Sequence, residues 1–273
     1  MPKKAKGILH NQRVAIVVLN YNNPIATVRC LNSIKSLSHG KTEYEIVVID
    51  NGSSDDTVRQ IHLNYPSLRL IEAEQNLGYA GGNNLGIKIA LKENFSHVLI
   101  LNNDTQVIDD LMLDKLLKGN TDLAAPSIKF QHHNQTFIDF GGQVDYLLGR
   151  NTHLEFSVDS VPKVVVQPDY LSGTCLLVNC QVFRKIGLLD DHYFLYYEDV
   201  DFCLRAVKAG FKLSLSQKTT IFHELSSSAN KLGKNKIKIL SDSHRRFVLH
   251  HLSPLSWLPA LAFNLYLSRQ ASK

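Results

Sequence analysis

The feature that most constrains the fold is a set of four short, β-branched apolar runs in the first hundred residues. They read "VAIVVL" (Val14–Leu19), "EIVVI" (Glu45–Ile49), "LRLIEA" (Leu68–Ala73) and "HVLIL" (His97–Leu101). Runs of this length and composition suit strands buried on both faces of a parallel sheet. Helical spacing lies between them: Val28, Leu31, Ile34 and Leu37 in one stretch, Leu85, Ile89 and Lys92 in another that opens at "GGNN". Strand–helix alternation of this kind predicts βαβ units, and so an α/β fold with a mostly parallel central sheet flanked by helices.

Polar residues stand where such a sheet would bind something. Asn20 follows the first run, Asp50 the second, and Asn102, Asn103 and Asp104 the fourth. Ligands of open α/β sheets bind outside the carboxyl ends of the strands, so these positions converge on one crevice. Any one of them is also explained as a turn former. Their succession at three strand ends favours a ligand site.

Residues 126–170, with "FGGQVDYLLGR", suggest a turn-rich sheet insertion. "DYLSGTCLLVN" (Asp169–Asn179) reads as a strand and "FKLSLSQKTTIFHE" as another, ending at His223. Between them Val200, Cys203, Leu204 and Val207 fall at i, i+3, i+4 and i+7, a helix stopped by Gly210. Several tempting motifs fail on spacing. "GKT" (Gly40–Thr42) would need its first phosphate-loop glycine at Lys35, so it is a surface turn. "GYAGG" (Gly78–Gly82) is no dinucleotide fingerprint, although its glycines would let backbone approach a ligand, with Asn83 and Asn84 at a helix start. The tandem pairs His132–His133 and His250–His251 have no partner at metal-ligand spacing.

At 273 residues, 44% hydrophobic and 20% charged, the chain can fill a globular core, which excludes wholesale disorder. A net charge of +5 suits a phosphate-bearing ligand or an anionic membrane surface, and nothing points to nucleic acid. Four cysteines (Cys30, Cys175, Cys180, Cys203) form no CxxC pair and no zinc spacing, as expected of reduced structural thiols in a cytoplasmic protein. The basic N-terminus runs into an apolar stretch that belongs to a strand, so a signal peptide is not expected.

The stretch "YFLYYEDVDFCLRAVKAGF" (residues 193–211) places Glu198, Asp199 and Asp201 straight after a run of aromatics. Taken alone, the three acids are a helix's first turn, favoured by the macrodipole. Together with "VVLNYNN", "VVIDNGSSDDT", "NLGYAGGNNLGI", "LILNNDT" and "SGTCLLVN", in this order, the stretch resembles family 2 glycosyltransferases of the GT-A fold. The similarity is greatest to the bacterial rhamnosyltransferase-like branch and covers roughly residues 13–225.

The resemblance implies transfer of a sugar, with inversion, from a nucleoside diphosphate donor to a hydroxyl of a glycan or lipid-linked glycan. It assigns Asp199 as general base with Glu198 beside it, and Asp201 to an ion pair with Arg205 on the helix surface. Leu19, Asn20, Tyr21 and Asp50 would hold the pyrimidine, with Gly78, Asn83, Asn102 and Asn103 also on the nucleotide. Ser172, Gly173 and Thr174 would lie under the acceptor. The family's acidic DxD corresponds here to "NND" (Asn102–Asp104), which leaves Asp104 and His223 to bind Mn²⁺ or Mg²⁺ at the diphosphate. Deoxythymidine diphosphate rhamnose is the favoured donor and uridine diphosphate hexoses come next.

The loss of one DxD carboxylate leaves two other readings: a non-catalytic nucleotide-sugar-binding module on the same fold and, more remotely, a nucleotidyltransferase, for which "LNYNNP" lacks the glycine-rich basic loop. The expected organisation is a basic extension (1–12), a catalytic domain (13–225, divided near 105 into nucleotide and acceptor halves) and a helical C-terminal tail (226–273). In the tail, Lys231, Lys234, Lys236, Lys238, Arg245 and Arg246 precede "FVLHHLSPLSWLPALAFNLYL" (Phe247–Leu267), which has no Asp, Glu, Lys or Arg. Pro254, Pro259, His250 and His251 argue against a membrane span. A buried helical hairpin and an interfacial segment on the cytoplasmic leaflet, with Trp257, Leu258, Leu261, Phe263 and Leu265 in the acyl boundary, both remain open.

Overall fold

The computed structural model describes residues 12–118, 122–163, 167–225 and 235–271. The alternating runs of the first half become β1 (Arg13–Asn20), α1 (Pro24–Ile34), β2 (Glu43–Asp50), α2 (Thr57–Asn64), β3 (Arg69–Glu72), α3 (Gly78–Lys92) and β4 (His97–Asn102). The strands lie side by side in the order β3-β2-β1-β4, all parallel. Successive side chains of β1 serve two cores. Ala15 and Val17 meet one that holds Val47, Ile49 and Ile87 of α3, while Val14, Ile16 and Val18 meet another with Leu31, Ile34 and Ile61. Burial on both faces is why these strands read as continuous apolar runs rather than alternating ones.

The second half adds β5 (Thr105–Val107), α4 (Met112–Leu117), β6 (Leu123–His132), β7 (Gln135–Asp145), β8 (Arg150–Ser157), β9 (Cys175–Asn179), α5 (Cys180–Ile186), α6 (Glu198–Lys208) and β10 (Leu213–His223). The sheet continues β4-β9-β6-β10-β5, with β7 and β8 as a ribbon on β6. Here β9 is antiparallel to both neighbours, and only β6 and β10 run parallel. The sheet is therefore parallel through its first four strands and mixed beyond them.

The expected strand over Asp169–Asn179 is only half formed. Asp169 accepts the Val144 N–H, Tyr170 makes a lone bridge to Gly142, and Ser172 donates to Thr174 in a turn, so regular pairing begins at Cys175.

The chain closes with α7 (Asn235–His251) and α8 (Pro254–Ala271). Helix α7 is part of the core: Phe247 and Val248 are fully buried, Arg246 pairs with Asp190 at 2.6 Å, and His251 Nε2 lies 2.7 Å from Asp201. Helix α8 rests on α7 through Ala260 and through Asn264, whose amide donates to the Ser241 carbonyl. Its outer face presents Leu255 (91% exposed), Leu258 (82%) and Leu265 (60%). The buried-hairpin expectation thus describes α7, while α8 is buried along one side only. No helix among the described residues is long and apolar enough to cross a membrane. Lys231 and Lys234 lie outside the described residues.

Candidate active site

Parallel register places Asn20 directly beside Asp50, and Leu19 beside Asn102. The strand-end polar residues are tied together there. Asn20 donates to Asp50 Oδ1 at 2.9 Å, and Asn103 donates to Asn20 Oδ1 (3.1 Å) and to Thr27 Oγ1 (2.9 Å). Asp50 also accepts the Ser53 hydroxyl and backbone N–H. Asn20, Asp50 and Asn103 are buried, and Tyr21 is exposed at the lip. These side chains fix the loops after β1, β2 and β4 against one another, so the crevice arrives preorganised. Sequence reasoning does not single out Thr27, Ser53 or Asn51. Asn51 bridges the β2 and α3 loops through Asn76, Gly78 and Leu77.

One expectation for the "GYAGGNN" segment needs correction. Helix α3 begins at Gly78, so Asn83 and Asn84 lie inside it rather than at its start. Asn83 is fully buried and donates to the Tyr79 carbonyl, and Asn84 bonds both backbone groups of Leu189. Gly78 (φ +74°) is needed for protein packing: a Cβ there would stand 2.4 Å from the Phe194 carbonyl oxygen.

Beside Asn103, His223 Nε2 lies 3.1 Å from Asp104 Oδ1, with both side chains largely shielded. The end of β10 and the turn after β4 meet because β10 pairs with β5, His223 opposite Thr105. An imidazole and a carboxylate converging at a strand-end cleft suit a divalent cation whose other positions come from phosphate oxygens and water. The donor set therefore fits Mn²⁺ or Mg²⁺. Arg29, on the same side, is paired with Glu224 at 2.7 Å.

Helix α6 carries the acids. Asp199 is half-buried; its Oδ2 accepts the Gly173 N–H at 2.9 Å and its Oδ1 the Val200 N–H at 2.8 Å. Burial raises its carboxyl above the ordinary value, opposed by the Gly173 N–H, the charge of His153 and the Val200 N–H. Glu198 is buried, and its Oε2 has no hydrogen-bond partner. Burial, then the neighbouring Asp199, pushes it well above the carboxylate range. Of the two, Asp199 has a backbone N–H at each oxygen while one oxygen of Glu198 has none, so ionisation is more strongly disfavoured at Glu198.

Tyr79, also unforeseen, donates from its hydroxyl to the Gly173 carbonyl at 2.5 Å and so ties α3 to the turn that carries the Asp199 contact. That turn is Ser172–Thr174, and Asn102 donates its N–H to the Thr174 carbonyl, joining it to β4. Asp201 pairs with Arg205 at 2.7 Å as expected, but the pair is not a surface one: Asp201 is buried and shared with His251.

Two further groups bring metal-type ligand atoms within 4.8 Å of one another: Asp139, His153 and Glu155, and Asp190, Asp191 and His192. All four cysteines are free and buried. Burial raises the Cys30 thiol to about 12 and the Cys180 thiol to about 11, which keeps both protonated.

Comparison with known proteins adds an independent line. The family described as "Glycosyl transferase family 2" matches residues 15–187. The low-salt glycan biosynthesis hexosyltransferase Agl10 of Haloferax volcanii is 26% identical over 212 residues, covering 77% of this chain and 66% of the relative. The N-acetylglucosaminyl-diphospho-decaprenol L-rhamnosyltransferase of Mycobacterium tuberculosis is 27% identical, covering 73% and 72%. Among solved structures, the mannosyltransferase PcManGT of Pyrobaculum calidifontis, in complex with GDP-Man and Mn²⁺, superimposes with a TM-score of 0.58 over 96% of this chain and 72% of its own, at 14% identity. That likeness shows the GT-A fold. The chain spans just under two thirds of the hexosyltransferase.

Proposed function

The chain belongs to glycosyl transferase family 2, and on that premise we propose that it transfers a sugar, with inversion, from a nucleoside diphosphate donor to a glycan hydroxyl. The observation that carries this reading is Asp199 held by the Gly173 N–H, in a turn tied through Thr174 to Asn102 at the end of β4, the strand that leads to Asp104 and its contact with His223. The two backbone N–H groups aim the carboxylate and favour its charged form. From there it takes the proton of an acceptor hydroxyl seated over Ser172–Thr174 as that oxygen attacks the anomeric carbon. The bond to the diphosphate breaks on the far side, where a divalent cation held by Asp104 and His223 would neutralise the departing charge. The loops after β1 and β2, with Leu19, Asn20, Tyr21 and Asp50, would hold the base, and Asn102 and Asn103 the sugar-nucleotide side.

Relatives named as a rhamnosyltransferase and a hexosyltransferase support deoxythymidine diphosphate rhamnose first and uridine diphosphate hexoses second. The lipid-linked substrate in the rhamnosyltransferase's name supports a polyprenyl diphosphate sugar as acceptor class. We place the protein on the cytoplasmic leaflet through the outer face of α8.

Incubation with each donor, Mn²⁺ and a polyprenyl diphosphate sugar should give transfer, and Asp199→Asn should lower it by at least about a hundredfold with donor affinity kept. A variant that transfers at the parent rate removes Asp199 as base. A parent that binds donor, seen as a thermal shift, yet turns over none of the donors even by hydrolysis would make the chain a binding module.

A further inference from the structure

The turn between β7 and β8 carries two apolar side chains that the core does not use: Tyr146 is 49% exposed and Leu147 59%. The turn itself is firmly built. Asp145 Oδ1 accepts the N–H groups of Leu147 (2.9 Å) and Leu148 (3.2 Å), and the Asp145 carbonyl accepts the Gly149 N–H at 2.7 Å. Gly149 closes it at φ +69°, a conformation open to glycine. Tyr146 and Leu147 are therefore presented by a fixed tip.

The residues that follow the tip seat it against the C-terminal helices. His244 Nε2 of α7 donates to the Leu148 carbonyl at 2.8 Å, and a Cβ on Gly149 would stand 2.8 Å from Val248 of the same helix. The Arg150 guanidinium lies 6.0 Å from the centre of the Phe263 ring on α8, and that ring stacks on Tyr266. Tyr266 is exposed and stands one turn beyond Phe263, on the edge of α8 that leads round to Leu255 and Leu258. The tip thus adjoins α8 beside its apolar outer face. Arginines border the two elements: Arg150 at the tip and Arg269 on α8 are both exposed. No Asp or Glu occurs after Asp242, and the acids next to the tip, Asp145 and Asp169, already accept backbone N–H groups. Tyrosine and leucine flanked by arginine, without a free acid, complement an anionic bilayer surface.

We propose that Tyr146 and Leu147 form a second membrane contact beside α8, in which the tip enters the acyl boundary of an anionic leaflet while Arg150 and Arg269 meet the headgroups. The inference rests on the reading that α8 lies on the leaflet. The Tyr197 hydroxyl donates to the Gly149 carbonyl at 3.1 Å, and Tyr197 leads directly into Glu198 and Asp199, so the contact would lie on the side of the domain that carries the proposed base. Trp257 is the only tryptophan in the sequence, which lets insertion be read one position at a time. In a Trp257→Phe background, full chains carrying Tyr146→Trp, Leu258→Trp on the outer face of α8, or Leu63→Trp on α2 are mixed at low salt with phosphatidylglycerol–phosphatidylcholine vesicles, with and without brominated acyl chains. At the depth of an interfacial segment, roughly 5–10 Å, Tyr146→Trp and Leu258→Trp should be quenched about twofold by bromine, and Leu63→Trp should not. Leu147→Trp takes the place of Tyr146→Trp if that variant melts early. An unquenched tip beside a quenched Leu258→Trp overturns the proposal and leaves α8 on the membrane. If neither is quenched, the membrane reading itself fails and the tip with it. Self-association without vesicles that Tyr146→Ser with Leu147→Ser abolishes would assign the tip to a second copy of the chain, and would overturn the proposal as well.

Discussion

Glu198 and Asp199 are neighbours in sequence with unequal surroundings, and the inequality can be measured. The carboxyl of Glu198 is buried with one oxygen unpartnered, so its ionisation is disfavoured in the folded protein and unhindered in the unfolded one. A raised folded value means that stability is fully present below the ordinary carboxylate range, near pH 4.5, and falls as the pH climbs through the raised value. Glu198→Gln removes that dependence. Its melting temperature should exceed the parent's at pH 8 by about a few degrees, and the gain should vanish toward pH 4. A variant less stable at both pH values would mean that Glu198 is ionised and paired. Across the cleft, chelator should stop transfer, and Asp104→Ala should be more damaging than Asn102→Ala, because only Asp104 faces His223. Transfer that persists in chelator would hand the leaving-group charge to basic side chains, of which Arg29, paired with Glu224 next to His223, is a candidate. The sequence carries the identity of these residues well. It does not carry their partners: Asp50 and Asn103 are drawn into internal hydrogen bonds by residues as far away in sequence as Asn20 and Thr27, and Asn83 by the Tyr79 carbonyl one turn earlier.

Helix α6 shows what local pattern can and cannot tell. The spacing of Val200, Cys203 and Leu204 predicts the helix, and its described bounds, Glu198–Lys208, agree. Its entry is invisible to pattern: Tyr196 and Tyr197 both adopt φ +71°, a left-handed conformation that costs bulky residues on the order of 1–3 kcal/mol each. Tertiary contacts hold it there. The Tyr197 hydroxyl donates to the Gly149 carbonyl at 3.1 Å, and its ring packs on Phe247 of α7 at 5.0 Å. The position of Asp199, the proposed base, thus depends on a helix nearly fifty residues later. Phe247→Ala should cost about 3–5 kcal/mol of stability, measured by denaturant unfolding, since it empties a fully buried site. In the folded fraction, transfer should fall while donor affinity holds, because the strand ends proposed to hold the nucleotide lie elsewhere. A loss confined to donor binding would contradict the lock.

At the scale of the whole molecule, the parallel half was legible because double-sided burial writes itself as apolar runs. The direction of β9 was not, since parallel and antiparallel strands can share the same composition. The tail was legible as helix and ambiguous as to partner, and it divides accordingly. With α7 docked, deletion of residues 247–273 removes core residues, so outer-face substitutions on α8 are the cleaner probe of membrane contact. Leu255→Glu with Leu258→Glu should leave melting nearly unchanged and reduce sedimentation with anionic vesicles at low salt, where the exposed Arg245 and Lys238 also act. Equal sedimentation would remove α8 from that role. Arg246 is committed to Asp190 and adds nothing there.

Strand β10 lies between β6 and β5, both made about a hundred residues earlier, and among the described residues β5 pairs with no other strand. During synthesis β1 to β4 can pair as soon as they emerge, whereas β5 must wait for the chain to return. His223 is the last residue of β10. A nascent or truncated chain can therefore assemble the strand-end crevice of β1 to β4 well before it can join His223 to Asp104, so the proposed metal contact with a diphosphate would be acquired only when the sheet closes.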